Sequence, residues 1–251
     1  MPSTSTGHGA RGMGHGRQHI PPPPAPRPPP LVVTIDGPAG AGKSTVAKRL
    51  AQRMGLTYLD TGATYRALAY AAVKAGLNTT TDIPRLRRLA RHLPLRLRPA
   101  SHGEVQVVLG GVDITHEIRT EEVSEAAAQV SQHPPVRAAM VALQRKLANH
   151  HGVVVEGRDT GSVVFPHAIH KFFLKADAAV RARRRQDEMA QLYGRRPPLT
   201  QVREQLHFRD SLDQTRRVGP LVKPAGATVI DTSHRSVAQV VQLMLRRIAR
   251  G

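Results

Sequence analysis

The sequence predicts an α/β fold, a doubly wound parallel sheet, on three observations. Short apolar runs of strand length recur at both ends of the chain and alternate there with helical segments. The first run, LVVTI (31–35), is apolar but for Thr34 and reads as a strand buried on both faces. The middle of the chain breaks this rhythm and reads as an insertion.

Residues 1–30 carry no acidic residue and are dominated by Gly, Pro and His. Such a segment buries too little apolar surface to offset its ordering entropy, so a disordered tail is expected. The first strand, 31–35, leads through a glycine-rich loop into a helix over 43–54. LTYLD (56–60) is a second strand, and ATYRALAYAAVKAG (63–76) an Ala-rich helix closed by glycine. Residues 82–93 read as helix. LRLRP (95–99) and EVQVVLGG (104–111) alternate like antiparallel strands joined by a Ser-His-Gly turn. Residues 115–132 and 135–150 read as two helices. Strands follow at 152–157 and 170–176, then a basic helix at 177–193. GRRPP (194–198) breaks it before a helix at 199–215. A last strand at 227–232 precedes an amphipathic helix at 236–249.

Apolar residues make up 40 % of the chain, but aromatics only 3 % and Trp is absent, so the core must be built from Leu, Val, Ile and Ala. There is no Cys, which excludes disulfides, thiolate zinc sites and a cysteine nucleophile. No apolar run reaches about 18 residues and no apolar leader opens the chain, so a cytoplasmic protein without a membrane partner is expected. A net charge of +19 points to a polyanionic partner, either nucleic acid or small phosphorylated molecules.

GPAGAGKST (37–45) discriminates further. It fits G-x-x-x-x-G-K-[ST] between a strand and a helix, the pattern of a phosphate-binding loop. Backbone N–H groups solvate a triphosphate only if the backbone comes close, which side chains would prevent. Gly37, Pro38, Ala39, Gly40, Ala41, Gly42, Lys43, Ser44 and Thr45 are therefore the expected ATP-binding residues. The helix aims its positive end at the anion. Lys43 reaches the β and γ phosphates, and the Ser44 hydroxyl is placed for Mg²⁺. Asp36, just before the loop, either orders metal-bound water or braces the turn. The guanine-reading Asn-Lys-x-Asp of GTPases and the Leu-Ser-Gly-Gly-Gln of ABC-type ATPases are both absent. Arginine-bearing segments follow instead: DTGATYR (60–66), EGRDTG (156–161), RARRR (181–185) and RDSLDQTRR (209–217).

These segments, with EIRTEEV and PVRAAMVALQR between them, occur in an order that resembles the bacterial cytidylate kinases, of the nucleoside monophosphate kinase family. The resemblance runs from Val32 to the final helix. It implies a phosphate-loop kinase core (31–59 and 152–251), a monophosphate-binding insertion (60–151) and a small helical lid (183–200). It implies transfer of the ATP γ-phosphoryl group to CMP or dCMP with Mg²⁺, by a monomer with no specific nucleic-acid partner. Arg66, Arg158 and Arg216 match positions on the acceptor phosphate, with Thr61 and Tyr65 lining that site. Arg137 and Asp159 match positions that recognise cytosine, and Arg209 and Asp213 those that hold the sugar. Arg184 and Arg185 match the start of the lid, and Lys43, Arg158 and Arg184 the catalytic cations. Arg181, Arg183 and Arg185 also read as a solvated basic run, Asp159 as a helix cap and Glu156 as a partner for an arginine.

The chain departs from this pattern at Ala128, where the family carries a serine that helps to read cytosine. Ser124 and Ser131 flank it by one helical turn. UMP or AMP as acceptor is the alternative within the kinases. The alternative outside them is a nucleic-acid-binding ATPase, which the scarcity of aromatics for base stacking disfavours.

Overall fold

The computed structural model describes residues 3–4, 30–100, 105–148 and 152–250. Nearly all of the expected tail and the whole 101–103 turn lie outside them.

Five parallel strands form the central sheet: β1 (Val32–Asp36), β2 (Thr57–Asp60), β6 (Val153–Gly157), β7 (His170–Lys175) and β8 (Thr228–Asp231), in the order β2-β6-β1-β7-β8. Alternation along the strands builds a core on each face. Val33, Ile35 and Val154 pack with Val46 and Leu50 of α1 (Lys43–Met54) and Val240 and Met244 of α8 (Val237–Ile248). Val153 and Val155 point the other way, to Leu59 and Ala148. The sheet is thus covered on both sides, as expected for a parallel sheet.

A second core belongs to the middle of the chain. It joins α2 (Thr61–Lys74), α3 (Ile83–Arg91), α4 (Glu121–Val130) and α5 (Pro134–Leu147) to a three-stranded antiparallel sheet of β3 (Leu95–Pro99), β4 (Val105–Leu109) and β5 (Val112–Asp113). Leu68, Leu86, Ile118 and Met140 are its most deeply buried large residues. A third, smaller core lies between α6 (Ala178–Tyr193) and α7 (Leu199–Thr215), where Ala182, Met189, Val202 and Leu206 meet and Ala39 and Tyr193 pack against them.

Three local features differ from the sequence expectations. The helix expected over 115–132 is broken: a 3₁₀ turn at Glu117–Arg119 precedes Thr120, whose backbone is extended and whose hydroxyl accepts from the Val123 amide at 3.3 Å. A fresh N-cap therefore starts α4 at Glu121. The helix expected from Ala63 begins two residues earlier, because Asp60 caps it through the Ala63 amide at 2.9 Å. A single π-helical turn, Thr160–Val164, follows β6 where no element was expected.

Candidate active site

β1 lies in the middle of the sheet, and its loop leaves the carboxyl edge between β6 and β7. Such a position borders the ligand crevice of open α/β sheets. Gly40 and Gly42 hold φ of +73° and +83°, in the left-handed region that favours glycine. A Cβ on Gly40 would also lie 2.8 Å from the Arg181 carbonyl. The Lys43 ammonium donates to the Pro38 carbonyl at 2.8 Å and is almost wholly buried. Burial, and next the nearby Arg158 charge, pull its pKa down from 10.5 to about 7. Ser44 and Thr45 are exposed in the first turn of α1.

Two arginines of α6 stand against this loop. Arg181 donates to the Ala39 carbonyl at 3.2 Å and to Asp210 at 2.5 Å. Arg184 donates to the Thr232 carbonyl at 2.7 Å and hydroxyl at 3.0 Å, and that hydroxyl lies 3.1 Å from the Ala41 carbonyl. A guanidinium nitrogen of Arg184 would be 3.7 Å from a Cβ on Gly42. The basic run of α6 is therefore divided by helical spacing: residues 181 and 184 face the loop, whereas Arg183 is exposed.

Four further arginines, Arg66, Arg137, Arg158 and Arg216, come from separate segments, each on a carboxylate. Arg158 donates to Asp213 at 2.8 Å, and Arg216 lies 3.4 Å from the other oxygen of Asp213. Arg216 also donates to the Gly219 carbonyl at 2.8 Å. Arg66 pairs with Asp60 at 2.8 Å. Arg137 and Asp159 form a buried ion pair, with a further bond from Arg137 to the Ser131 carbonyl at 3.2 Å. The Tyr65 ring lies 5.6 Å from the Arg137 guanidinium, and its hydroxyl is buried without a partner. Thr61 donates its hydroxyl to the Glu156 carbonyl at 2.7 Å, which ties the start of α2 to the end of β6.

These cations crowd one another. Burial, then repulsion from Arg158, lowers Arg209 to about 10. Burial, then Arg137, lowers Arg216. Arg158 itself is held up against its burial by Asp213. Lys43 feels both Arg158 and Arg209, so the loop lysine and the arginine cluster share one electrostatic centre. A site that packs cations against their mutual repulsion is completed by anions.

Carboxylates join the two halves. Asp36 accepts from the Thr160 amide (2.7 Å), the Thr160 hydroxyl (2.8 Å) and the Gly161 amide (2.7 Å). Burial still raises its pKa despite these donors. Of the two roles open to Asp36, the geometry supplies the brace: it fixes the segment after Arg158 to the strand that carries the loop. Glu156 accepts from the Tyr58 hydroxyl at 2.8 Å, and burial and the Asp60 charge push its carboxyl up.

Of the residues named from sequence, the structure brings Arg158 and Arg216 together on Asp213 and pairs Arg137 with Asp159, whereas Arg185 turns to Glu188 on its own helix at 2.8 Å. Sequence reasoning missed the pairing of Arg181 with Asp210 and that of Tyr58 with Glu156, and offered bracing as one of two roles for Asp36. The three-residue spacing of Arg181 and Arg184 was the available signal for the first.

A family model described as cytidylate kinase matches residues 33–250. The cytidylate kinase of Pelotomaculum thermopropionicum is 45 % identical over 219 residues, covering 87 % of this chain and 96 % of that protein. That of Geobacillus kaustophilus is 46 % identical over 213 residues, covering 85 % and 94 %. That of Marinomonas sp. is 40 % identical over 220 residues, covering 88 % and 96 %.

Proposed function

This chain belongs to the cytidylate kinase family, and on that premise we propose that it transfers the γ-phosphoryl group of ATP to CMP or dCMP, giving ADP and CDP or dCDP. The observation that carries this reading is geometric: Lys43 sits in a glycine loop with left-handed Gly40 and Gly42, and Arg158 and Arg216 converge from separate segments on Asp213. One cation serves a triphosphate loop and the others a second anion beside it.

The nucleophile is a phosphate oxygen of the monophosphate, already anionic at neutral pH, so no general base is required. Catalysis is alignment of two anions and screening of their repulsion. The loop amides and Lys43 hold the donor. Arg66, Arg158 and Arg216 take the acceptor phosphate, with Thr61 and Tyr65 alongside. Arg209 and Asp213 hold the sugar, and Arg137 and Asp159 face the base. Arg184 and Arg185 screen the transferred group from the lid, 183–200, which closes over ATP and keeps water from it. Residues 60–151 supply the acceptor side.

Mg²⁺ fits this arrangement. Among the described residues no group of three His, Cys, Asp or Glu could hold an ion alone. The ion would rest chiefly on phosphate oxygens and water, as magnesium commonly does. Ser44, in the first turn of α1, would be its protein ligand. When bound, the ion neutralises charge on the β and γ phosphates.

We read the enzyme as a cytoplasmic monomer acting on small nucleotides, as kinship implies, with no specific nucleic-acid partner. Among the described residues no helix is long and apolar enough to cross a membrane.

UMP is the second acceptor to consider, because Ala128 cannot offer the hydroxyl that reads cytosine. Ser131 is the better placed substitute. Its carbonyl already holds Arg137, although both hydroxyls are engaged within the helix, Ser131 donating to the Ala128 carbonyl and Ser124 to that of Thr120, each at 2.8 Å. An ADP-release assay across CMP, dCMP, UMP, AMP and dTMP tests the assignment. The expected outcome is fastest turnover with CMP or dCMP; faster turnover with UMP or AMP overturns it.

A further inference from the structure

Two contacts bridge elements that belong to different cores. The Tyr193 hydroxyl, at the end of α6, donates to the Arg119 carbonyl at 2.5 Å. Arg195, two residues on, pairs with Glu121. Residues 117–121 belong to the second core: Ile118 is buried there beside α2, which carries Tyr65 and Arg66. Tyr193 instead packs with the α6–α7 core, which also includes Ala39 of the phosphate loop.

The corner that offers these groups is itself held. Gly194 caps α6 with φ of +66°, Gln186 donates to the Pro197 carbonyl at 2.7 Å, and Arg196 pairs with Asp187. Arg185, on the same helix, pairs with Glu188 at 2.8 Å. A hydroxyl on the core that also packs Ala39 of the donor loop thus donates to the backbone of the acceptor-side insertion. Glu121 and Arg195 are roughly half exposed, so their pair mainly steers the approach, while the less exposed tyrosine bond is directional.

We propose that Tyr193, with Arg195 and Glu121 as its outer pair, is a clasp joining the lid to the acceptor-side insertion, and that it couples the binding of the two nucleotides. The proposal rests on ATP and a nucleoside monophosphate being the two ligands. The clasp ties the element that holds one nucleotide to the element that holds the other. Closure on one side then favours closure on the other, and the effect is reciprocal by linkage. Tyr193 acts through the elements it joins and is a positioning residue, not one that touches the reacting atoms.

The test is titration calorimetry of CMP binding with and without a non-hydrolysable ATP analogue, in the wild type and in Tyr193→Phe. The wild type is expected to bind CMP more tightly with the analogue present. Loss of one hydroxyl should shrink that enhancement roughly two- to ten-fold, while each nucleotide alone binds as before. An unchanged enhancement, or equal weakening of each nucleotide alone, overturns the clasp. Glu121→Gln should shrink the enhancement less, and rescue by raised salt of neither variant is expected. Because the chain has no Cys, spin labels at Glu122→Cys and Leu192→Cys give a readout independent of base choice. The short-distance population with the analogue plus a monophosphate should fall in the Tyr193→Phe background; an identical distribution overturns the proposal. Absence of any CMP binding by the wild type, with labels still closing on another monophosphate, would instead locate the failure in the acceptor assignment.

Discussion

The phosphate loop and the arginine cluster, in the function we propose, take the same kind of group by opposite means. The loop is nine consecutive residues, Gly37–Thr45, and acts mainly through bare backbone amides with one lysine. The cluster draws Arg66, Arg137, Arg158, Arg209 and Arg216 from four distant segments and acts through side chains, mostly held on carboxylates. The first is specified locally, by a turn that tolerates no Cβ at Gly40. The second exists only once the sheet and α7 are in place. A contiguous site depends on backbone shape, and a distributed one on its braces.

The largest expected effect sharpens this contrast at its single shared residue. Lys43→Ala should lower kcat by roughly 10²–10³-fold, by analogy with loss of one transition-state charge contact, with thermal melting little changed. Steady-state kinetics and calorimetric melting check it. The lysine also sets a pH dependence. Between pH about 7 and its ordinary 10.5 the buried amine of the empty protein is neutral, whereas a bound triphosphate favours the ammonium. ATP binding should therefore take up a proton across that window and weaken as pH rises through it. The unfolded chain binds that proton where the empty native protein does not, so the empty protein gains stability as pH climbs from about 7. Calorimetry in buffers of different ionisation heat reads the uptake, which Lys43→Ala should abolish.

An intermediate effect is expected from Asp36→Asn, which breaks the brace between the two regions. Both carboxylate oxygens accept from N–H donors of Thr160 and Gly161, and an amide can accept at only one of them. Leaving a buried donor facing an NH₂ group costs about 1–3 kcal/mol. The melting temperature should drop by several degrees, and the KM for CMP should rise more than that for ATP. An equal rise in both would mean that Asp36 supports the cradle as much as the acceptor side.

The smallest effect is one of selectivity. Ala128→Ser restores the hydroxyl on the α4 face flanked by Ser124 and Ser131. It should raise the CMP to UMP ratio of kcat/KM by about ten-fold at most, the scale of one hydrogen bond. A ratio that does not move would show that Ser131 or Arg137 already does the reading.

The same contrast explains what was legible in the sequence. The loop could be read whole, because its residues are neighbours and each has a local reason. The central strands could be read too, since burial on both faces leaves short apolar runs. The break at Thr120 was missed because apolar spacing runs on across it, although Thr followed by Glu121 and Glu122 is a start signal. The π turn at 160–164 has no local pattern; it arises where the chain bends to bring two amides onto Asp36. The arginines could be named by resemblance, but not their partners. Nothing near residue 158 announces Asp213, and nothing near residue 181 announces Asp210. Pairings across such separations belong to the tertiary fold.

The resting position of Lys43 has one more consequence. Its nitrogen leans on a loop carbonyl five residues back, already stripped of water. An arriving nucleotide therefore exchanges one oxygen for another at that nitrogen. Much of the dehydration that gripping a triphosphate demands was completed when the chain folded, so recognition begins with the amine dry and already aimed.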